Sequence, residues 1–230
     1  MRKENHTYNR IKRCLIIAGG ELNQEFASCY IREHYPDGRP ELMIVADRGL
    51  QWAEEMNLRP DIILGDYDSV PPEILEKYQG DRQIINMQYP AEKDYTDSHL
   101  AVITAMEQEA TDICILGATG SRMDHMLANL GLLYLCLQAG IPAELVNATN
   151  RIRLIRDTVT LRKDTQFGTY VSLLPYTERV TGITLTGFQY PLQDAELSLG
   201  LSRGVSNEIV AETATIQIRS GALFVIESRD

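Results

Sequence analysis

No stretch of this sequence approaches the roughly 18–20 uncharged apolar residues that cross a bilayer as a helix. The first apolar run, Cys14–Ala18, falls short of the about 7–15 residues at the heart of a secretory leader, and no cleavage pattern follows it. Neither a membrane partner nor export is expected. Cysteine is sparse. The four residues, Cys14, Cys29, Cys114 and Cys136, form no Cys-x-x-Cys pair. Three lie in apolar runs, so they read as buried free thiols of a reducing cytoplasm, not as a disulfide frame or a zinc site. Basic residues are also short, 22 against 32 acidic, for a formal net charge of −10. Nucleic-acid duplexes and anionic membranes favour the opposite sign, because phosphate neutralisation drives their binding. A small polyphosphate stays open, since a divalent cation can mediate that contact. Two phosphate fingerprints are missing: Gly-x-x-x-x-Gly-Lys-Ser/Thr and Gly-x-Gly-x-x-Gly.

What is present suits a globular protein. The 230 residues, 44% hydrophobic and 23% charged, are enough for two small domains. Met1–Asn9 is polar and unpatterned and is expected to be a loose tail. Up to about Asn147, short Ile-, Val- and Leu-rich runs alternate with helical patterns. The runs are Cys14–Ala18, Leu42–Ala46, Asp61–Leu64, Ile84–Met87, Asp112–Leu116 and Ala143–Val146, read as strands buried on both faces. Helices are expected over Asn23–Glu33, Asp97–Gln108 and Met123–Ala139, the last stopped by Gly140-Ile141-Pro142. This alternation predicts a mainly parallel, Rossmann-like sheet flanked by helices over residues 1–148. From 149 to 230 helical periodicity disappears, and short Thr/Val/Ile stretches separated by turns predict an antiparallel β-sandwich or barrel.

Polar and glycine-rich residues follow the predicted strands: Asp47-Arg48-Gly49, Gly65-Asp66-Tyr67-Asp68-Ser69, Lys93-Asp94-Tyr95-Thr96-Asp97 and Gly117-Ala118-Thr119-Gly120-Ser121-Arg122. Ligands of open α/β sheets bind outside the carboxyl ends of the strands, so these loops are expected to share one site. Asp66 and Asp68 are one residue apart and can reach one hard cation; taken alone they read first as a turn capping its own backbone, and the neighbouring loops are what favour the site. Thr96 or Asp97 caps the next helix, and Asp97 is also a candidate third metal ligand with Lys93 as a charge for phosphate. The small residues from Gly117 let backbone N–H groups approach phosphate, beside a helix N-terminus that favours anions, and Arg122 can grip phosphate oxygens. Asp124 and His125 open that helix.

Five motifs in register resemble the thiamine pyrophosphokinase family: ADRG (Ala46–Gly49), GDYDS (Gly65–Ser69), KDYTD (Lys93–Asp97), GATGSRMDH (Gly117–His125) and GVSNE (Gly204–Glu208). Arg48 stands where the family commonly has Gly, which raises a question about the backbone there. The only tryptophan is Trp52, in the first half, so an aromatic partner for thiamine in the second half is not a tryptophan. The resemblance implies Mg²⁺-dependent transfer of diphosphate from ATP to the hydroxyl of thiamine, giving thiamine diphosphate and AMP. It implies Mg²⁺ on Asp66, Asp68 and Asp97, with Lys93 and Arg122 completing the catalytic set. ATP contacts are implied for Asp47, Ser69, Thr96, Gly117, Thr119, Gly120, Arg122 and Asp124. Thiamine contacts are implied for Asp94, Ser206 and Asn207, with sites between the subunits of a homodimer. Asp66, Asp94 and Asp97 are candidates for the base. Two other readings stand beside it: a metal-dependent phosphohydrolase with Asp66 as nucleophile, since Asp66-x-Asp68 resembles a haloacid-dehalogenase-type loop, and a non-catalytic thiamine or nucleotide sensor.

Overall fold

The computed structural model describes residues 11–230, so Met1–Asn9 lies outside the described residues. Strands β1 (Arg13–Ile17), β2 (Leu42–Ala46), β3 (Ile62–Gly65), β4 (Ile85–Gln88), β5 (Asp112–Leu116) and β6 (Ala143–Val146) run parallel in the order β6-β5-β1-β2-β3-β4. Successive strand residues point to opposite faces, and both faces are apolar. Leu15, Ile17, Met43 and Val45 pack under α1 (Gln24–His34), α2 (Gly49–Glu55) and α3 (Pro72–Gly80). Cys14, Ile16, Ile44 and Ile62 pack under α4 (Asp97–Glu107) and α5 (Met123–Ala139). Each fully buried Ile or Leu contributes roughly 1.5–3 kcal/mol relative to exposure. All six expected strands are present, but β4 is not doubly buried: it is the sheet edge, with Ile85 54% exposed.

The sheet does not stop at β6. Strand β7 (Asn150–Ile155) pairs antiparallel with β6, and β8 (Val159–Arg162) then leaves for a second sheet. Strand β9 (Tyr170–Pro175) returns, pairing through β14 (Leu223–Ser228), with the short β12 (Asn207–Glu208) outermost. The large sheet therefore runs β12-β9-β14-β7-β6-β5-β1-β2-β3-β4. The second sheet, antiparallel, adds β10 (Arg179–Thr186), β11 (Leu192–Ser198) and β13 (Thr213–Gln217) in the order β11-β10-β13-β8. Val171, Leu173, Leu223 and Val225 of one sheet face Val180, Leu185, Ala214 and Ile216 of the other. The expected antiparallel unit is thus a sandwich, one wall of which continues the parallel sheet. The stretch Glu208–Ile218, which reads as one strand, breaks after Glu208 because β12 and β13 belong to different sheets. No helix among the described residues is long and apolar enough to cross a membrane, and the four cysteines are free, three of them buried.

One buried charge ties the sandwich wall together. Glu227 on β14 is fully buried and faces Arg151 across the β7 pairing. It accepts from Arg151 Nε (2.9 Å) and Nη2 (2.8 Å), from Arg153 Nη2 (2.5 Å) and from the Phe167 N–H (3.0 Å). Burial alone would raise its carboxyl, but the arginines outweigh it and hold it below the usual range. Glu227→Ala leaves two guanidinium groups without their acceptor and is expected to cost about 3–5 kcal/mol in urea unfolding. In the parent, this contribution is present above the unfolded carboxyl value of about 4.3 and fades as pH falls through the depressed folded value. A variant with unchanged stability and unchanged acid sensitivity contradicts this role.

Candidate active site at the β1–β5 crevice

The chain turns back between β1 and β5, and a crevice opens at their carboxyl ends. A cavity of about 550 Å³ lies there. The loops after β2, β3, β4 and β5 line it, as expected, through Asp47, Asp66, Ser69, Lys93–Asp97 and Gly117–Arg122. A further wall was not read from the sequence: Gly19, Gly20 and Glu21, the turn directly after β1, together with Asn129 of α5. The Gly-Gly pair following the first strand was the available signal for the turn; Asn129 had none, being a polar residue inside an apolar helix.

Backbone lacing sets the shape of this crevice. The Gly20 N–H donates to Gly117 O and the Glu21 N–H to Thr119 O, both at 2.7 Å. Asn129, itself buried, donates Nδ2 to Ala118 O at 2.8 Å, and Asn147 Nδ2 reaches Thr119 Oγ1 at 3.2 Å. Trp52 Nε1 donates to Gly20 O at 2.9 Å. Gly117 has φ +67, and a Cβ there would lie 2.5 Å from Ala18 O. Its glycine identity is therefore required twice over. Arg48 has φ −55 and ψ −16, an ordinary right-handed conformation, and the left-handed residue of that loop is Asp47 at φ 46. An arginine at 48 is thus free of backbone strain.

The carboxylates gather at the other side. Tyr67, between Asp66 and Asp68, has φ 63, with its ring buried and its hydroxyl donating to Asn86 Oδ1 at 2.7 Å. Left-handed non-glycine residues cost of order 1–3 kcal/mol and persist where surroundings over-determine them, as the buried tyrosine does here. Asp47, Asp66 and Asp68 each offer an oxygen within 4.8 Å of the others. The Ser69 hydroxyl lies 2.9 Å from Asp47 Oδ2 and 3.0 Å from Asp68 Oδ1. Asp47 Oδ1 is buried and accepts no hydrogen bond from the described residues. Burial pushes the Asp47 carboxyl above the usual carboxylate range, against the opposing pull of the Arg48 N–H and Ser69. Hard oxygen donors at this spacing, one of them buried without a donor, fit a divalent cation.

Asp97 sits differently from the sequence expectation. Lys93 Nζ stands 3.3 Å from Asp66 Oδ2 and 3.0 Å from Asp97 Oδ1, so an ammonium separates these two carboxylates. The Asp97 contact is a close ion pair. Among the described residues the group of three that meets includes Asp47 in place of Asp97. Burial works against the Lys93 charge, but Asp97 and Asp66 outweigh it and raise its pKa. For Asp66, burial is likewise outweighed, by the Asp68 N–H and Lys93, and its carboxyl is lowered. Thr96 caps α4, its Oγ1 accepting from the His99 N–H at 3.2 Å. Arg122 lies on the rim with its Nη2 2.6 Å from Asp124 Oδ2, which brings that carboxyl down to about 2.

Ser206 and Asn207 are not in the cavity. Asn207 is buried; its Oδ1 accepts from the N–H of Tyr190 at 2.9 Å, and its Nδ2 donates to Tyr190 O at 2.8 Å. Ser206 has φ 59 and its N–H donates to Ser172 Oγ at 3.0 Å. Strand β12 is five inter-strand steps from β5, about 24 Å at the usual spacing of about 4.8 Å.

Residues 39–145 match the family model described as the catalytic domain of thiamin pyrophosphokinase, and residues 157–223 that of its vitamin B1 binding domain. The chain is 32% identical to the thiamine pyrophosphokinase of Bacillus subtilis over 94% of this chain and 98% of that one. It is 29% identical to thiamine pyrophosphokinase 1 of Oryza sativa, covering 95% and 80%. Among solved structures it is similar to the Bacillus subtilis thiamine pyrophosphokinase, with a TM-score of 0.83 at 30% identity over 95% of this chain and 100% of that one. It shares its fold with yeast thiamin pyrophosphokinase, TM-score 0.75 at 16% identity over 97% and 88%.

The lacing of the crevice has a mechanical consequence. Gly117→Ala adds a methyl against the Ala18 carbonyl in a left-handed position and is expected to lower unfolding stability by about 2 kcal/mol. Ser121→Ala, at an exposed position of the same loop, is expected to change it by less than about 0.5 kcal/mol. Chemical denaturation of the two variants checks the difference; equal stabilities contradict it.

Proposed function

The chain belongs to the thiamine pyrophosphokinase family and is an enzyme of thiamine diphosphate formation, and on that premise we propose that it transfers the β,γ-diphosphate of ATP to the hydroxyethyl oxygen of thiamine with Mg²⁺, releasing AMP. One observation carries this reading: a carboxylate cluster fit for a hard cation, whose Asp47 and Asp66 line the cavity while Asp68 lies just outside its lining, shares that cavity with a glycine-rich loop. Diphosphate transfer requires little of a protein beyond positioning and charge neutralisation, which such a pair of walls supplies.

Asp66 and Asp68, with Asp47 beside them and Asp97 behind Lys93, would hold Mg²⁺. When bound, the ion neutralises charge on the polyphosphate oxygens. The N–H groups of Gly117, Thr119 and Gly120 and the start of α5 receive phosphate oxygens. Lys93 adds a fixed positive charge from within the cavity. Arg122, exposed beside Asp124, turns from that partner to the substrate phosphates. Ser69 orients Asp47, and Thr96 anchors the start of α4. Of the candidate bases, Asp66 and Asp97 are bound to Lys93, whereas Asp94 is exposed on the cavity wall and in no ion pair among the described residues. Asp94 therefore takes the hydroxyl proton as that oxygen attacks the β-phosphorus and the bond to the α-phosphate oxygen breaks.

Residues 1–148 carry the nucleotide contacts and 149–230 the thiamine contacts. Ser206 and Asn207 are about five strands from the cavity, so a second copy of the chain brings them to it, in a homodimer. Exposed Tyr190, Leu199, Leu201 and Val210 form apolar surface available for such pairing. Tyr190, fixed by Asn207 and 65% exposed, offers an aromatic face beside Ser206. The cytoplasm, where ATP and free thiols coexist, suits the four free cysteines.

Omitting each component in turn from a mixture of protein, ATP, Mg²⁺ and thiamine tests the reaction. AMP is expected only when all are present, and Asp68→Asn is expected to abolish its release while the far-ultraviolet spectrum stays unchanged. Free phosphate without thiamine points to the phosphohydrolase, binding without turnover to the sensor, and full activity of Asp68→Asn overturns the metal assignment.

A further inference from the structure

Among the described residues three cations line the cavity, and two of them already have partners. Lys93 lies between Asp66 and Asp97, and Arg122 is paired with Asp124. The third, Arg48, is exposed, lines the same cavity and has no carboxylate partner among the described residues. It sits between the acidic and the glycine-rich walls. Its own N–H faces the Asp47 carboxyl, and its Cβ lies 3.2 Å from where a Cβ on Gly19 would be. A side chain at 19 would crowd it, so the first turn leaves room for it. Its right-handed backbone means that the residue is held there without strain. The surroundings offer it Glu21, Asp47 and Asp66 on the cavity wall, yet it pairs with none of them. A guanidinium left unpaired amid carboxylates keeps its five donors available for an incoming anion.

We propose that Arg48 is a specificity-determining residue of the donor site, which binds the β,γ end of the nucleoside triphosphate and so favours triphosphate over monophosphate. This rests on the diphosphate-transfer reading and deepens it. The nucleoside and α-phosphate are common to donor and leaving AMP, so a cation directed to the β,γ oxygens distinguishes what enters from what must leave. Thiamine is itself cationic, and Arg48 gives it nothing to bind. A planar fork matches two phosphate oxygens at once, which a lysine in the same place does not.

The test measures binding without turnover. The α,β-methylene analogue of ATP, in which the bridge that breaks is blocked and the β,γ oxygens are intact, and AMP are each titrated calorimetrically, with Mg²⁺, into the parent, Arg48→Gln and Arg48→Lys. Arg48 is exposed and its backbone ordinary, so the variants are expected to fold, as circular dichroism verifies. For the analogue, Arg48→Gln is expected to weaken binding about tenfold, equivalent to about 1.4 kcal/mol, with Arg48→Lys recovering part of that. AMP affinity is expected to stay within twofold across all three proteins. Equal analogue affinity in parent and Arg48→Gln overturns the proposal, as does an equal loss for AMP, which would place Arg48 on the nucleoside or α-phosphate. If the parent binds neither nucleotide, the diphosphate-transfer reading itself fails, a result distinct from either.

Discussion

Asp47, Asp66, Asp68 and Asp97 converge on the carboxyl edge of one sheet with, among the described residues, a single ammonium, Lys93, between Asp66 and Asp97. That surplus of negative charge is the constraint from which the rest of the site follows. Carboxylates at this spacing repel, and partial burial makes the repulsion stronger. The fold tolerates them because each is fixed by something rigid. Asp47 ends a fully buried strand and touches Ser69; Asp66 and Asp68 flank a buried tyrosine; Asp97 begins a helix whose cap is its neighbour. Such a cluster favours added positive charge, which is the ground for the divalent cation proposed there.

The opposite wall solves a complementary problem. In the proposed reaction phosphate requires donors, which the glycine-rich turn after β5 is proposed to supply, while the Gly20 and Glu21 N–H groups of the turn after β1 are spent on holding that turn in place. The two turns are bonded to each other and braced by Asn129 and Trp52, so the cradle is set before ligand arrives. The parallel sheet places both walls at the reversal of strand order. The antiparallel continuation carries Ser206 and Asn207 to the far edge of the same sheet. Geometry thus separates the two groups of family motifs within a single chain.

Much of this was legible in the sequence. Doubly apolar strands such as Leu42–Ala46 and the long apolar helix Met123–Ala139 announce themselves by composition, and the motif loops fall after the strands as alternation requires. What was hidden has physical reasons. Helices α2 and α3 are too short to establish a period. Strand β11, Leu192–Ser198, is a half-exposed edge whose polar sequence resembles a loop. The role of Lys93 as a separator of Asp66 and Asp97 depends on side-chain reach, which spacing along the chain does not encode. Arg48 was a puzzle only while glycine-like dihedral angles were expected of it; the left-handed residue is its neighbour.

The most direct test of the central claim is to locate the cation. Crystals grown with Mn²⁺ and the α,β-methylene analogue of ATP allow the metal to be placed by anomalous scattering. The account predicts a peak bound by Asp66 and Asp68, beside Asp47, with the analogue's phosphates between it and the Gly117–Arg122 loop. A metal bound elsewhere, or phosphates bound in this cavity with no metal at the carboxylates, would contradict it.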